Sequence, residues 1–202
     1  MIPGTEGYAE EAEELVQRYE SVPFAEKHRA VLHLIPRRPC DVLDIGAGTG
    51  ADAAWLAGRG HRVVAVEPTE ELRLPGMGLH PSPLIEWVDD SLPHLVLTLQ
   101  RGQQFDLVMM TAVWMHLDER ERQLAMPKVA SLPGSGGVLI MSLRHGPLAA
   151  GRRTFEVSAE ETIQLARAHG FQAIVRVRTG SAQPKNRHAG VTWSHLAFER
   201  AG

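Results

Sequence analysis

Apolar residues along this chain follow two rhythms. In the first 36 residues they recur every three or four positions: Tyr8, Ala12, Leu15, Val16 and Tyr19 form one stripe, and Phe24, His28, Val31, Leu32 and Ile35 form a second, ended by Pro36. That spacing predicts two amphipathic helices. From Asp41 onward, short and nearly continuous apolar runs take over: Val42–Ile45, Arg62–Val66, Ile85–Val88, Phe105–Met110 and Val138–Leu143. Such runs predict strands covered on both faces. Helical windows lie between them. One is Gly50–Ala57, stopped by Gly58 and Gly60; another is at most a turn at Thr69–Leu72. Asp118 with Glu121, and Ser158 with Glu161, have capping-box spacing and open two more, the first running to about Ala130 and the second closed by Gly170. Leu74–Pro83 holds too many breakers for a long helix, and Ser131–Gly137 reads as a helix stop and loop. Strands alternating with helices imply a parallel α/β sheet. The last two runs, Phe171–Arg178 and Val191–Glu199, are joined by polar Gly180–Gly190 with no helix expected, so they must pair antiparallel. The predicted fold is therefore α/β, mostly parallel, with one reversed strand near the C-terminus and helices in front.

Composition narrows the function classes. A chain of 202 residues, 44% hydrophobic and with a net charge of -3, suits one domain with one sizeable core. Lys and Arg total 21 against 24 acids, which argues against a nucleic-acid backbone as partner. No apolar stretch approaches the roughly 18 residues of a membrane span, and the acidic N-terminus lacks the apolar core of a secretory leader. The single cysteine, Cys40, makes neither an internal disulfide nor a paired-thiol metal site, and the histidines, His94, His169, His188 and His195 among them, show no metal-ligand spacing. A cytoplasmic protein without a metal is expected.

The segment richest in chemistry is Val42-Leu43-Asp44-Ile45-Gly46-Ala47-Gly48-Thr49-Gly50. A strand runs into a glycine cluster and then a helix, and ligands of parallel α/β sheets bind beyond such strand ends. Glycines allow close approach of the backbone, and the helix start offers amide donors. Glu67 follows the second strand, 21 positions after Gly46, where an acid accepts the two hydroxyls of an adenosine ribose. Both features serve NAD and S-adenosylmethionine alike, and Gly46-x-Gly48-x-x-Ala51 fits the dinucleotide pattern. Three observations favour the sulfonium cofactor. Asp44 stands where a pyrophosphate would approach, and a fixed carboxylate there suits an ammonium and a sulfonium instead. Asp89 and Asp90, after the third strand, offer an acceptor to an adenine amino group. The terminal antiparallel pair is foreign to an ordinary dinucleotide domain.

Asp41–Gly50, Val63–Pro68, Glu86–Leu92 and Phe105–Thr111 resemble the successive motifs of class I S-adenosylmethionine-dependent methyltransferases, and the resemblance covers about Asp41 to Glu199. It implies a Rossmann-like, doubly wound, seven-stranded sheet over 41–200, with 1–36 as a helical lid on the same single domain. It also implies site residues. Asp44, Gly46, Ala47, Gly48 and Gly50 would hold the methionine end, Glu67 the ribose, and Pro68, Asp89 or Asp90, Ser91 and Leu92 the adenine. Thr111 and Ala112 would line the path to the sulfur. The product would be S-adenosylhomocysteine. The breakers in Leu74–Pro83 depart from the family's long second helix.

The acceptor is less legible. The Asn/Asp-Pro-Pro-aromatic sequence of amino-methylating DNA enzymes is absent after the fourth strand. The Pro39-Cys40 pair lies before the first strand, far from the place of a cytosine-C5 nucleophile. One cysteine is too few for an arsenite methyltransferase. A small metabolite, methylated on O, N or S, remains. His116, Arg144 and His145 are the candidate catalytic groups: a histidine can take a proton near neutral pH, and Arg144 can clamp a carboxylate or phosphate. Tyr19, Phe24, His28 and Trp114 are candidate substrate contacts, and Arg152 and Arg153 can recognise an anion. The rival readings are an NAD(P)-dependent oxidoreductase, a protein that binds the sulfonium cofactor without transferring from it, and a non-methylating enzyme that uses the same sulfonium.

Overall fold

The computed structural model describes residues 4–147 and 151–200. Residues 1–3 of the expected lid, 201–202, and 148–150 within the stretch that follows Arg144 lie outside them. Seven strands form one sheet: β1 (Asp41–Ile45), β2 (Arg62–Val66), β3 (Ile85–Val88), β4 (Phe105–Thr111), β5 (Pro133–His145), β6 (Phe171–Gly180) and β7 (Thr192–Arg200). Their order is β3-β2-β1-β4-β5-β7-β6. Neighbours from β3 to β5 run parallel, while β7 is antiparallel to both β5 and β6. The expected mostly parallel sheet with one reversed strand is the one found.

Two-residue alternation along the strands divides the core into two layers. Leu43, Ile45, Val64, Val66, Met110 and Leu143 face one side and pack with Trp114, Met126 and Phe198. Val42, Ala65, Leu107, Met109, Ile140 and Ala197 face the other and pack with Phe24, Val31 and Leu56. Because both faces are covered, the interior strands read as continuous apolar runs. Helices α1 (Ala12–Glu20), α2 (Phe24–Lys27), α3 (Ala51–Ala57), α4 (Glu70–Leu79), α5 (Val96–Gln100), α6 (Glu119–Ser131), α7 (Ala159–Ala168) and α8 (Pro184–His188) complete the chain. The box that opens α6 is complete: Glu121 N–H donates to Asp118 Oδ1, and Asp118 N–H to Glu121 Oε2, both at 2.8 Å. At α7 only half forms. Ser158 caps Glu161 N–H, but the Glu161 carboxylate turns to Arg122 at 2.8 Å.

Local pattern misjudged several segments. The second N-terminal stripe is a single turn, α2, followed by a short 3-10 turn at Leu32–Leu34, and not one helix up to Pro36. The expected break after Leu72 is instead α4, ten residues long with Pro75 inside it. Its glycines act as spacers: a Cβ on Gly76 would lie 2.5 Å from the Thr49 carbonyl oxygen and 2.9 Å from the Trp87 ring. Close docking on the glycine turn outweighs the low helix propensity. α5 was not foreseen, and polar Gly180–Gly190 contains the short α8 with its proline in the first turn. The loop expected at Ser131–Gly137 is partly strand, since β5 begins at Pro133, which pairs with Phe105.

Candidate active site

A cavity of about 620 Å³ opens over the C-terminal ends of β1, β2, β4 and β5, roofed by the N-terminal segment. The first link is the turn after β1. Gly46 and Ala47 donate their N–H groups to the Val66 carbonyl at 2.8 and 3.0 Å, fixing the turn against β2. Gly46 has φ +73°, and a Cβ there would fall 2.4 Å from Val113 Cγ2. Gly48 has φ +59° and lies against the Tyr19 ring, 3.3 Å from where its Cβ would stand. Conformation disfavours a side chain at both positions, and at Gly46 space does so as well. The C-terminus of α1 is tied to this turn. Thr49 Oγ1 donates to Glu20 at 2.5 Å, and His80 of α4 meets the same carboxylate at 3.1 Å.

Two buried carboxylates flank the turn. Glu67, 5% exposed, accepts N–H bonds from Gly48 and Thr69, each at 2.8 Å. Burial pushes its pKa up, and those two amides pull against it. Each oxygen keeps a second lone pair for a hydroxyl donor. Asp44, 2% exposed, has Oδ2 buried without any hydrogen-bond partner. Burial first, then the charge of Asp52, push its carboxyl up to about 8, against the opposing pull of Lys27. Asp52 opens α3 and is itself satisfied: Lys27 Nζ donates to Oδ1 and His28 Nε2 pairs with Oδ2, both at 2.8 Å. Burial alone would raise Asp52, but Lys27 and His28 outweigh it and hold it well below the usual carboxylate range. Lys27 and His28 are thus engaged by Asp52, which leaves the Asp44 oxygen as the buried acceptor in need of a cation.

Pro68 beyond β2, and Asp90, Ser91 and Leu92 beyond β3, line the cavity. Asp90 accepts from Ser91 N–H and from both the N–H and hydroxyl of Thr98, all at 2.8 Å, which holds this wall in place. Asp89 turns outward, 58% exposed at its side chain, and pairs with Arg73 at 3.0 Å. Of the two aspartates left open by the sequence, Asp90 is the one in the wall.

On the β4 and β5 side, Thr111, Ala112, Tyr19, His28, His116 and Arg144 line the cavity as expected. His116 Nδ1 donates to the Arg153 carbonyl at 2.8 Å, which leaves Nε2 to accept the Tyr8 hydroxyl at 2.9 Å. Burial pulls His116 below the ordinary imidazole value. Arg153 lies outside the cavity, paired with Asp118 and Glu121, and five more expected residues stand elsewhere. His145 follows Arg144 on β5 and so points to the opposite face, where Nε2 meets Ser194 Oγ at 2.8 Å. Trp114 is fully buried in the core layer with Met126 and Phe198. Phe24 stacks on Trp55 with ring centroids 3.9 Å apart. Gly50 sits behind the turn, where a Cβ would strike the Trp87 ring at 2.6 Å. Asp89 is the fifth.

Other residues of the wall escaped the sequence reading: Tyr8 as a polar group, Arg18, Lys27, Asp52, Trp193 and His195. Two had a signal. Trp193 and His195 alternate on β7, opposite Arg144 and Ser142 of β5, so one strand period places all four on one face. His195 Nε2 pairs with Thr179 Oγ1 at 3.0 Å while Nδ1 is buried without a partner.

A glycine turn after the first strand, an acid after the second and a reversed seventh strand inserted beside the fifth define the methyltransferase variant of the Rossmann-like sheet. Residues 43–141 match the family described as a methyltransferase domain, and the fold is the one found in S-adenosylmethionine-dependent methyltransferases of known structure. No curated protein matches it in sequence. Among solved structures it is similar to 1,6-didemethyltoxoflavin-N1-methyltransferase of Burkholderia thailandensis, which holds 1,6-didemethyltoxoflavin and S-adenosylhomocysteine. That likeness has TM-score 0.75 at 21% identity and covers 96% of this chain and 86% of that one. A TehB-like S-adenosylmethionine-dependent methyltransferase of Corynebacterium glutamicum gives 0.67 at 19% identity, covering 95% and 98%. The N-methyltransferase NodS of Bradyrhizobium japonicum, in complex with S-adenosylhomocysteine, gives 0.65 at 15% identity, covering 92% and 87%. Among the described residues no helix is long and apolar enough to cross a membrane.

Proposed function

We propose that the protein transfers a methyl group from S-adenosylmethionine to an oxygen, nitrogen or sulfur atom of a small metabolite in the cytoplasm. The observation that carries the reading is Asp44: a buried carboxylate oxygen without a partner, at the mouth of a turn whose conformation disfavours side chains. Once ionised, that carboxylate repels a diphosphate and attracts an ammonium, and an ammonium beside it favours the ionised form. The remaining residues fit the same cofactor. Glu67 would take the ribose hydroxyls, while Pro68, Asp90, Ser91 and Leu92 would enclose the adenine. Gly46, Ala47 and Gly48 would let the methionine end approach, and Thr111 and Ala112 would border the reacting sulfur.

Bound S-adenosylmethionine supplies an electrophilic methyl on a positive sulfur. The chain's own contribution is to orient the acceptor and exclude water, for which the N-terminal lid over the cavity is suited. Where the acceptor atom bears a proton, Tyr8 and His116 form the pair able to remove it. The acceptor's proton passes to the Tyr8 oxygen as the Tyr8 proton passes to His116 Nε2. The Arg153 carbonyl keeps His116 in the tautomer that accepts. The small molecule of the Burkholderia relative supports an acceptor of this size.

Calorimetric titration tests the reading. S-adenosylhomocysteine is expected to bind at micromolar concentration and NADH not at all, and label from the cofactor is expected to move to a small molecule in a metabolite extract. Micromolar NADH binding without S-adenosylhomocysteine binding would overturn it.

A further inference from the structure

On the side of Asp44 away from Glu67 the cavity wall becomes positive. Arg144 at the end of β5, Arg152 in the segment that follows, and Arg18 of α1 all line it. Among the described residues, Arg144 makes one side-chain hydrogen bond, to the Pro147 carbonyl at 2.6 Å, and neither it nor Arg18 forms an ion pair. Arg152 has its side chain only 8% exposed; Glu11 at the rim takes one of its terminal nitrogens. Its guanidinium lies 4.2 Å from the centre of the Tyr8 ring, and its Nε is buried without a partner. Burial, and then the charges of Arg152 and Arg18, lower the pKa of Arg144, so Arg144 senses both of the other cations.

A surface arginine is usually solvated and carries no message. These are not in that position. Three cations, of which among the described residues only Arg152 has a carboxylate partner, with a buried donor unmet, raise the free energy of the site unless a ligand brings negative charge. Tyr8, Tyr19, Val113, Met115 and Trp193 add flat and apolar surface to this wall. We infer that Arg144, Arg152 and Arg18 form the acceptor's anion subsite, and that the methylated molecule is a small flat acid, a ring bearing a carboxylate or phosphate. The inference rests on the methyltransferase reading of the same cavity. Fork-shaped guanidinium donors suit either oxyacid, and Tyr8 presents the ring face on which Arg152 already lies.

The rival occupant is the cofactor's own carboxylate. The sheet speaks against it. β4 separates β1 from β5, which puts Arg144 about 10 Å across the sheet from Asp44. A separate cation, Arg29, lines the cavity in the segment after α2 and forms no ion pair among the described residues.

The test is calorimetric titration of the S-adenosylhomocysteine-saturated protein with benzoate, phenyl phosphate and benzyl alcohol. At least one acid is expected to bind tenfold or more tightly than the alcohol. Arg144→Gln and, separately, Arg152→Gln are expected to remove that preference while S-adenosylhomocysteine affinity stays within about twofold, which also shows that the variants fold. Acids that bind no better than the alcohol would overturn the subsite. A tenfold loss of S-adenosylhomocysteine affinity in Arg144→Gln would overturn it too, by assigning the arginines to the cofactor. If the wild-type protein binds no S-adenosylhomocysteine, the methyltransferase reading itself fails and this inference falls with it.

Discussion

On the proposed reading, Asp44 would make cofactor binding a proton-linked event. Without a neighbouring cation of its own, the Asp44 carboxyl titrates at about 8, because burial and the charge of Asp52 oppose its ionisation. At pH 6 the unliganded protein therefore holds a proton there. An ammonium placed beside it favours the carboxylate, so binding must expel that proton. Linkage fixes the size: with a value near 8, the ionised fraction rises from about 1 in 100 at pH 6 to about 1 in 2 at pH 8, so S-adenosylhomocysteine affinity should rise roughly fifty-fold, or about 2.3 kcal/mol. Stability moves in the other direction. A carboxyl raised in the folded state favours folding below its ordinary value near 4, and that contribution is lost as pH climbs to about 8. The unliganded protein should thus weaken across this window, and Asp44→Asn should flatten the fall. Calorimetry in two buffers of different ionisation enthalpy counts the proton directly, and release near one per ligand is expected at pH 6.5. Burial also raises Glu67, so Glu67→Gln is the control: it should bind more weakly yet keep the slope. Affinity that is flat from pH 6 to 8 with no proton release, or Asp44→Asn binding as tightly as wild type, would refute the reasoning.

Glu67→Ala removes a charged acceptor and strands the Gly48 and Thr69 amides, so cofactor affinity should drop by about 1–3 kcal/mol; an unchanged dissociation constant would remove Glu67 from the site. Gly48→Val forces a β-branched residue into φ +59° against the Tyr19 ring. The variant should show a folded circular-dichroism spectrum but no detectable S-adenosylhomocysteine binding. Asp52→Asn takes the carboxylate from Lys27 and His28, and urea unfolding at pH 7 should report a loss of roughly 3 kcal/mol. Because Asp52 titrates low in the folded chain, its contribution is present above pH 4 and lost on acidification. The gap between wild type and Asp52→Asn should therefore narrow steadily as pH falls below 4.

Sequence by itself determined the sheet and the cofactor end of the cavity. Both are written locally: buried parallel strands are apolar runs, and a strand, three glycines and an acid after the next strand are contiguous or nearly so. Asp44, Gly46, Gly48 and Glu67 all stand where the pattern put them. Local pattern failed where distant backbone decides conformation. The glycines of α4 read as breakers, yet Gly76 is a spacer against Thr49 and Trp87. It failed again where direction matters. Arg144 and His145 are adjacent and equally polar, but only Arg144 shares the cavity face, because successive strand residues alternate. The acceptor side of the cavity was the tertiary structure's decision. Tyr8, Arg18, His116, Arg144, Arg152 and His195 come from four separate stretches of chain, 8–18, 116, 144–152 and 195, and no sequence interval encodes their meeting. Their proximity follows from a reversed strand inserted beside β5 and an N-terminal segment folded back over the sheet. Those long-range contacts are decided by burying both layers of the core at once.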